Sequence, residues 1–260
     1  MFKLTSLNLN GIRSASTKGV DAWLAQAKPD CICVQEVKAQ AADVAGKFEE
    51  IAGLKGHFHF AEKKGYSGVG VYIRHEPSDV VVGFDGGEFD AEGRYVELRF
   101  DTPTRKLSII SSYFPSGSSG PERQEAKFRF LDKMYPHLMA LKAARDFIVC
   151  SDVNIAHQQA DLKNWRSNQK NSGFLPEERA WMTQLTTEGG WSMCTAACNP
   201  TPQTLATPGG ATGDRPMPTT WGGDWTTTWP HPRWQKKPGP NRFTKTRSFP
   251  TTRRSRLNTT

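Results

Sequence analysis

The most informative stretch of this chain is Phe147-Ile148-Val149-Cys150-Ser151-Asp152-Val153-Asn154. Its four leading apolar residues are too few for a helix and indicate a short buried strand. Asp152 and Asn154 follow at the point where that strand ends. Because α/β folds place active sites at strand ends, the stretch predicts both a core element and a candidate site.

Short strands and helices extend from this stretch in both directions. Strands are predicted over Phe2–Leu9, Cys31–Val34, Gly68–Ile73, Asp79–Phe84, Arg94–Phe100, Leu107–Tyr113 and Phe147–Cys150. Helices are predicted over Val20–Ala27, Ala41–Ile51, Pro121–Lys142 and Pro176–Leu185. Because the strands alternate with both hairpin turns and helices, the pattern predicts an α/β fold, a two-sheet sandwich flanked by helices.

Polar residues also follow two other predicted strands. Asn8 and Asn10 lie at the end of the first strand, and Glu36 follows the second. Together with Asp152 and Asn154 they form an oxygen-rich set of the kind that Mg²⁺ or Mn²⁺ prefers. Each residue alone better suits a strand cap or a turn, so only the set as a whole points to a metal site.

A series of motifs runs through residues 2–191 in a fixed order. The motifs are Leu7–Arg13, Val34–Lys38, Gly65–Gly70, Glu92–Arg94, Ser112–Pro115, Cys150–His157, and Asn168–Phe174 with Pro176–Arg179. Any one of them would be weak evidence, but in this order they resemble the exonuclease III / apurinic-apyrimidinic endonuclease family. The resemblance implies the endonuclease/exonuclease/phosphatase fold. It also implies metal-assisted hydrolysis of DNA, by a 3′–5′ exodeoxyribonuclease and abasic-site endonuclease.

The resemblance implies a role for each residue at the strand ends. Glu36 would bind the catalytic metal, with the two asparagines of the first strand close by. Asp152 would orient or deprotonate the attacking water, Asn154 would hold the scissile phosphate, and Tyr113 would hydrogen-bond that phosphate. These roles fit the chemistry, because phosphodiester hydrolysis needs a cation against developing charge and an activated water placed in line.

Four further residues are implied to contact the DNA backbone or to wedge into the duplex: Tyr66, Arg94, Asn168 and Asn171. Without the resemblance, the same residues would be interpreted as a core aromatic, a surface salt bridge and loop caps. The implied substrate is double-stranded DNA with abasic sites or 3′ ends, and the implied cofactor is Mg²⁺ or Mn²⁺.

The last 69 residues differ in composition from the rest. Residues 192–260 hold 10 Lys and Arg but 2 Asp and Glu, together with 16 Thr and 10 of the 17 Pro. The net charge of +8 therefore lies in this tail, and the high isoelectric point is no argument for nucleic-acid binding by residues 1–191. A segment so poor in aliphatic residues cannot bury enough apolar surface to offset its ordering entropy. We predict a catalytic-domain portion, 1–191, and an aberrant Thr/Pro/Trp-rich tail, 192–260, that is disordered or poorly packed.

The tail also lacks the motifs with which the family ends. These motifs supply an active-site Asp and His, yet no His follows His231 and no Asp follows Asp224. A one-base shift of the reading frame over Trp221–Trp229 permits V-G-W-R-L-D-Y-H-L, and the same shift over Phe249–Ser255 permits F-S-D-H-A-P-I. Both products contain family motifs. We therefore hypothesise a frame shift just after Trp191, with a divergent tail as the alternative. The C-terminal strands are then predicted to be missing, and the chain as written is predicted to have little activity.

Two other functions stay open on the sequence. One is a phosphatase of the same superfamily acting on another substrate, against which the implied DNA-contact residues argue. The other is a catalytically dead remnant that binds DNA through its basic tail. Met1–Thr5 begins no signal peptide, no apolar run could span a membrane, and the five Cys form no convincing zinc site or disulfide framework. These features predict a cytoplasmic monomer without membrane contact and with free thiols.

Overall fold

The computed structural model describes residues 2–192 and the strand 225–229. The strands, in chain order, are β1 (Phe2–Asn8), β2 (Cys31–Gln35), β3 (Glu50–Ile51), β4 (Leu54–His59), β5 (Val69–Ile73), β6 (Asp79–Val82), β7 (Tyr95–Thr102), β8 (Arg105–Tyr113), β9 (Asp146–Asp152) and β10 (Trp225–Trp229). The helices are α1 (Ile12–Thr17), α2 (Val20–Ala27), α3 (Ala41–Val44), α4 (Pro121–Ala144), α5 (Trp165–Asn168) and α6 (Pro176–Thr187), with a 3₁₀ turn at Gln159–Asp161.

The strands form two mixed sheets. The first has the order β10-β1-β2-β5-β4-β3, and the second has the order β6-β7-β8-β9. β1 runs parallel to β2, and β8 runs parallel to β9. The carboxyl ends of each parallel pair therefore lie at one edge of their sheet. The predicted two-sheet α/β sandwich is confirmed.

The core lies between the sheets and beneath the helices. Along β2, Cys31 and Cys33 join a buried cluster with Leu98 and Ile109 of the second sheet. Ile32, which points the other way, joins a cluster with residues of α1 and α2. A strand covered on both faces is apolar throughout, and this explains why β2 is a continuous apolar run.

One predicted helix is largely wrong. The sequence pattern predicts a helix over Ala41–Ile51, but α3 ends at Val44 and β3 takes up Glu50–Ile51. Gly46 has a φ of 68°, a left-handed conformation that stops helices. The residues beyond it turn back, and β3 pairs with β4.

The tail contributes one strand that the sequence did not predict. β10 pairs antiparallel with β1, from Phe2 opposite Trp229 to Ser6 opposite Trp225. Its sequence, Trp-Thr-Thr-Thr-Trp, consists of residue types that favour strands, and β1 offers it an otherwise open edge. The rest of the predicted tail, from residue 193 onward, lies outside the described residues.

The described cysteines agree with the predicted free thiols. Cys31, Cys33 and Cys150 are buried and free, whereas Cys194 and Cys198 lie outside the described residues. Within the part of the chain that the structure describes, no helix has the length and apolar character needed to cross a bilayer.

Candidate active site

Carboxylates from the two sheets meet at one edge of the sandwich. Asn8 ends β1, Glu36 follows β2, and Asp152 ends β9. The side-chain Nδ2 of Asn8 donates hydrogen bonds to Glu36 Oε1 and to Asp152 Oδ2, each at 2.7 Å. Tyr113 ends β8, the parallel neighbour of β9, opposite Asp152 in the ladder. The structure thus brings together residues that the sequence assigned to one site.

A buried amide joins the two sheets directly beneath these carboxylates. Gln35 is 2% exposed, and its Nε2 lies 3.2 Å from the Oγ of Ser111 on β8. Ser111 in turn donates to the backbone oxygen of Val34 at 2.9 Å. This contribution of Gln35 was not predicted from the sequence, although a polar residue directly after the apolar run Cys31–Val34 was a visible signal.

The backbone around the site is strained. Asn10, Glu36, Lys38, Ser67 and Asn154 all have positive φ, between 44° and 52°. Such conformations are costly for residues with a side chain and cluster at functional sites, where the surrounding structure holds them. Here they turn the chain sharply at the ends of strands, so that polar side chains converge.

Asn154 orients Asp152 and keeps one polar atom free. Its backbone N–H donates to Asp152 Oδ1 at 3.1 Å, and its Nδ2 donates to the backbone oxygen of Phe114 at 2.9 Å. Its Oδ1 is buried and has no hydrogen-bond partner among the residues that the structure describes. A buried acceptor of this kind needs a partner, which a cation, a water or a substrate can supply.

Burial and charge alter the acidities at this site. Desolvation raises the pKa of Asp152 above its ordinary value, and the negative charge of Glu36 adds to the rise. Hydrogen bonds from Asn8 and Asn154 and the charge of Lys127 act in the opposite direction. Burial also raises the pKa of the Tyr113 phenol, as do the nearby carboxylates, so this residue stays protonated as a hydrogen-bond donor.

The donors present fit a hard divalent cation. Glu36 is 5% exposed, and its Oε2 lies 2.5 Å from the ammonium of Lys38. This side chain therefore already attracts a positive charge, and the free Oδ1 of Asn154 is a further oxygen donor. Within the described residues, however, no group of three or more His, Cys, Asp or Glu side chains comes together as a metal site.

The two asparagines of the first strand, predicted as metal ligands, make hydrogen bonds with protein groups in this structure. Asn8 faces the carboxylates with its Nδ2, a donor that cannot bind a cation, while its Oδ1 accepts from the backbone of Asn10 at 2.9 Å. The Oδ1 of Asn10 accepts from Lys38 at 2.5 Å. Asn8 therefore positions the carboxylates, and Lys38 links Asn10 to Glu36.

Arg94, predicted to contact DNA, is buried and supports Tyr113. It is 1% exposed, and its Nη1 donates to the backbone oxygen of Tyr113 at 2.9 Å. Its other nitrogens bind Glu92 at 2.5 Å and the Tyr66 hydroxyl at 2.8 Å. Direct contact of Arg94 with DNA therefore stays a prediction, and the contacts that the structure describes are with Tyr113, Glu92 and Tyr66. Tyr66 is half-buried, and Arg123 also donates to its hydroxyl at 2.9 Å.

The two predicted DNA-contact asparagines differ in exposure. Asn168 is only 9% exposed, and its Oδ1 accepts from the Nδ2 of Asn171 at 2.8 Å. Asn171 is exposed and lies in the loop between α5 and α6. Asn168 is thus mainly a support within the loop, whereas Asn171 is accessible to a ligand.

Comparison with known proteins agrees with this fold. The model of the endonuclease/exonuclease/phosphatase family matches residues 5–240, which is most of the chain and includes part of the tail. The chain therefore belongs to the endonuclease/exonuclease/phosphatase family.

Several proteins that are similar to this chain are named as nucleases. The chain is 35% identical to "DNA repair nuclease APEX1" of Danio rerio over 72% of its own length and 60% of that protein. It is 33% identical to "Exodeoxyribonuclease" of Bacillus subtilis over 72% of both chains. Among solved structures, an AP endonuclease from Archaeoglobus fulgidus matches with a TM-score of 0.61 and 26% identity, over 72% of this chain and 71% of that one. The match thus spans less than two thirds of the first of these relatives.

Proposed function

We propose that this chain has the active-site architecture for hydrolysis of phosphodiester bonds in DNA, 5′ to abasic sites and at 3′ ends. Because no Asp follows Asp224 and no His follows His231, where the last motifs of the family would supply both, we expect the chain as written to act slowly. The observation that carries the proposal is the pairing of Glu36 and Asp152 through the single Nδ2 of Asn8, at the meeting point of both sheets. The names of the relatives, a DNA repair nuclease and an exodeoxyribonuclease, support the choice of DNA as the substrate.

Each residue of the site has a task that its contacts allow. Asp152, held by Asn8 and by the backbone of Asn154, is oriented to accept a proton from an attacking water. Tyr113, which stays protonated, can donate to a phosphate oxygen. Glu36 and the free oxygen of Asn154 would hold Mg²⁺ or Mn²⁺, which neutralises charge that develops on the phosphate.

The test is cleavage of a defined duplex that carries one abasic-site analogue. The purified chain at micromolar concentration is incubated with the duplex in Mg²⁺, in Mn²⁺ and in EDTA, beside Asp152→Ala. Metal-dependent cleavage 5′ to the abasic site, lost in the variant, would support the proposal. A substrate panel with an undamaged duplex, a 3′-recessed end and an inositol phosphate separates this function from that of a superfamily phosphatase. Hydrolysis of the inositol phosphate alone would refute the proposal.

A DNA-binding remnant makes a different prediction. It would shift the duplex in a salt-sensitive, metal-independent manner that survives Asp152→Ala, and it would not cut the duplex. A cytoplasmic location and a monomeric state remain predictions from the sequence.

A further inference from the structure

A buried ion pair lies next to the proposed active site but outside the residues assigned to it. Lys127 of α4 and Glu178 of α6 are both 0% exposed, and Lys127 Nζ lies 2.7 Å from Glu178 Oε1. Removing two charges from water costs as much as their attraction returns, so a pair of this kind adds little net stability. Its other contacts are therefore the better guide to what it does.

Lys127 also holds the turn that carries Asp152 and Asn154. Its Nζ donates to the backbone oxygen of Asn154 at 2.8 Å. The backbone N–H of Asn154 donates to Asp152 Oδ1, and the φ of Asn154 is 52°. Lys127 thus forms a charge-assisted hydrogen bond with the carbonyl group of Asn154, while the N–H of Asn154 orients Asp152. The bond from Lys127 helps to hold Asn154 in its strained conformation.

Glu178 fixes the ammonium and ties the neighbouring loop to it. Its Oε1 also accepts from Gln124 Nε2 at 3.1 Å, and its Oε2 accepts from the backbone N–H of Leu175 at 3.0 Å. Gly173, two residues earlier, is so close that a Cβ there would lie 3.1 Å from the Asn154 backbone oxygen. Both α6 and the loop that presents Asn171 are therefore anchored beside the same carbonyl group.

We propose that Lys127, fixed by Glu178, is a positioning residue of the active site. It holds the Asn154 carbonyl group, which keeps the backbone N–H of Asn154 directed at Asp152. The inference rests on the proposed function for its catalytic consequence, but its structural consequence can be measured without any turnover.

The principal variant is the double substitution Lys127→Met with Glu178→Gln. It removes both charges together, so no buried charge is left unpaired, and the glutamine keeps an acceptor for the Leu175 N–H. The matched control is Glu97→Gln. Glu97 is likewise 0% exposed and ion-paired, but its partners are Arg99 and Arg145, away from the Asp152–Asn154 turn.

The first measurement is hydrogen exchange of the backbone amides of residues 152–156 in EDTA, with the stability of each variant measured by urea unfolding. For the double variant we expect the Asn154 amide to exchange about tenfold faster than its change in global stability accounts for. The control is expected to change that exchange only as far as its stability changes. Equal, stability-corrected exchange in the double variant and the control would overturn the proposal.

The second measurement is single-turnover cleavage of the abasic duplex. Because small misplacements of a catalytic group are costly, we expect the double variant to cleave about 10- to 100-fold more slowly with unchanged affinity for the duplex. A loss of affinity at an unchanged cleavage rate would contradict a positioning role. If the native chain cleaves nothing, the proposed function fails, and the exchange measurement still decides whether Lys127 holds the turn.

Discussion

Replacing Glu36 with Gln is expected to make the metal-free protein more stable while removing its response to a divalent cation. Glu36 Oε1 and Asp152 Oδ2 each lie 2.7 Å from Asn8 Nδ2. The two oxygens are therefore at most about 5.4 Å apart, where unit charges repel by about 3 kcal/mol at an effective dielectric constant of about 20.

The net gain is smaller than this repulsion. The shared amide of Asn8 and the nearby lysines already offset part of it, and the substitution forfeits the contact of Glu36 with Lys38, a pair worth about 1 kcal/mol or less at a partly exposed side chain. We therefore expect Glu36→Gln to raise the free energy of unfolding in EDTA by about 1 kcal/mol, as is common where a functional site is relieved of strain.

The assay is urea unfolding followed by circular dichroism, in EDTA and in Mg²⁺. A cation that binds the native chain at ten times its dissociation constant would stabilise it by about 1.4 kcal/mol, and the variant should not respond. Glu76→Gln is the matched control, because Glu76 is 72% exposed and pairs with Lys55 at the surface. A variant clearly less stable than the native chain in EDTA, or equally stabilised by Mg²⁺, would refute the reasoning.

Three further predictions concern the contacts of Arg94 beneath the site, the buried charge of Glu97 and the reading frame of the tail. Arg94→Lys should lower the free energy of unfolding by about 1–3 kcal/mol, because a lysine cannot replace the guanidinium contacts to Glu92 and Tyr113; urea unfolding measures it, and a neutral effect would contradict it. Burial acts to raise the pKa of Glu97, but hydrogen bonds from Arg99 and Ser108 and the charge of Arg99 outweigh it and hold the pKa below its ordinary 4.5. The contribution of Glu97 to the free energy of unfolding is therefore fully present above its ordinary pKa and is lost as the pH falls through the lowered pKa. The stability difference between the native chain and Glu97→Gln should be constant from about pH 8 to 5 and close in more acidic solution, and a difference that widened there would be inconsistent with this sign. Adding one base after the codon for Trp191, so that the hypothesised family motifs return, should raise abasic-site cleavage by about 10²- to 10⁴-fold; an unchanged rate would contradict the frame-shift hypothesis.

Local sequence patterns determined most of the elements that carry the site. β2 and β9 were predictable because four apolar residues in succession favour a strand in the core, although Phe147, Ile148 and Val149 of β9 are only half-buried. α6 was predictable because Pro176 suits a first helical turn. Glu36, Asp152 and Tyr113 were recognisable as candidates because each stands in a motif at a strand end. The short α3 was not predictable from periodicity, because the left-handed turn at Gly46 interrupts an apparently helical pattern.

Only the tertiary structure decided how the candidate residues are used. Asn8 and Asp152 are 144 positions apart, and no local pattern could show that one amide nitrogen joins two carboxylates. The positive charge of Arg94 suits a DNA contact, but the fold buries this side chain against Tyr66 and Tyr113. Its burial depends on residues from distant parts of the chain. The sequence determines the chemistry of each side chain. Burial and hydrogen-bond partners follow from long-range contacts, and these contacts determine whether a polar group binds a ligand or positions its neighbour.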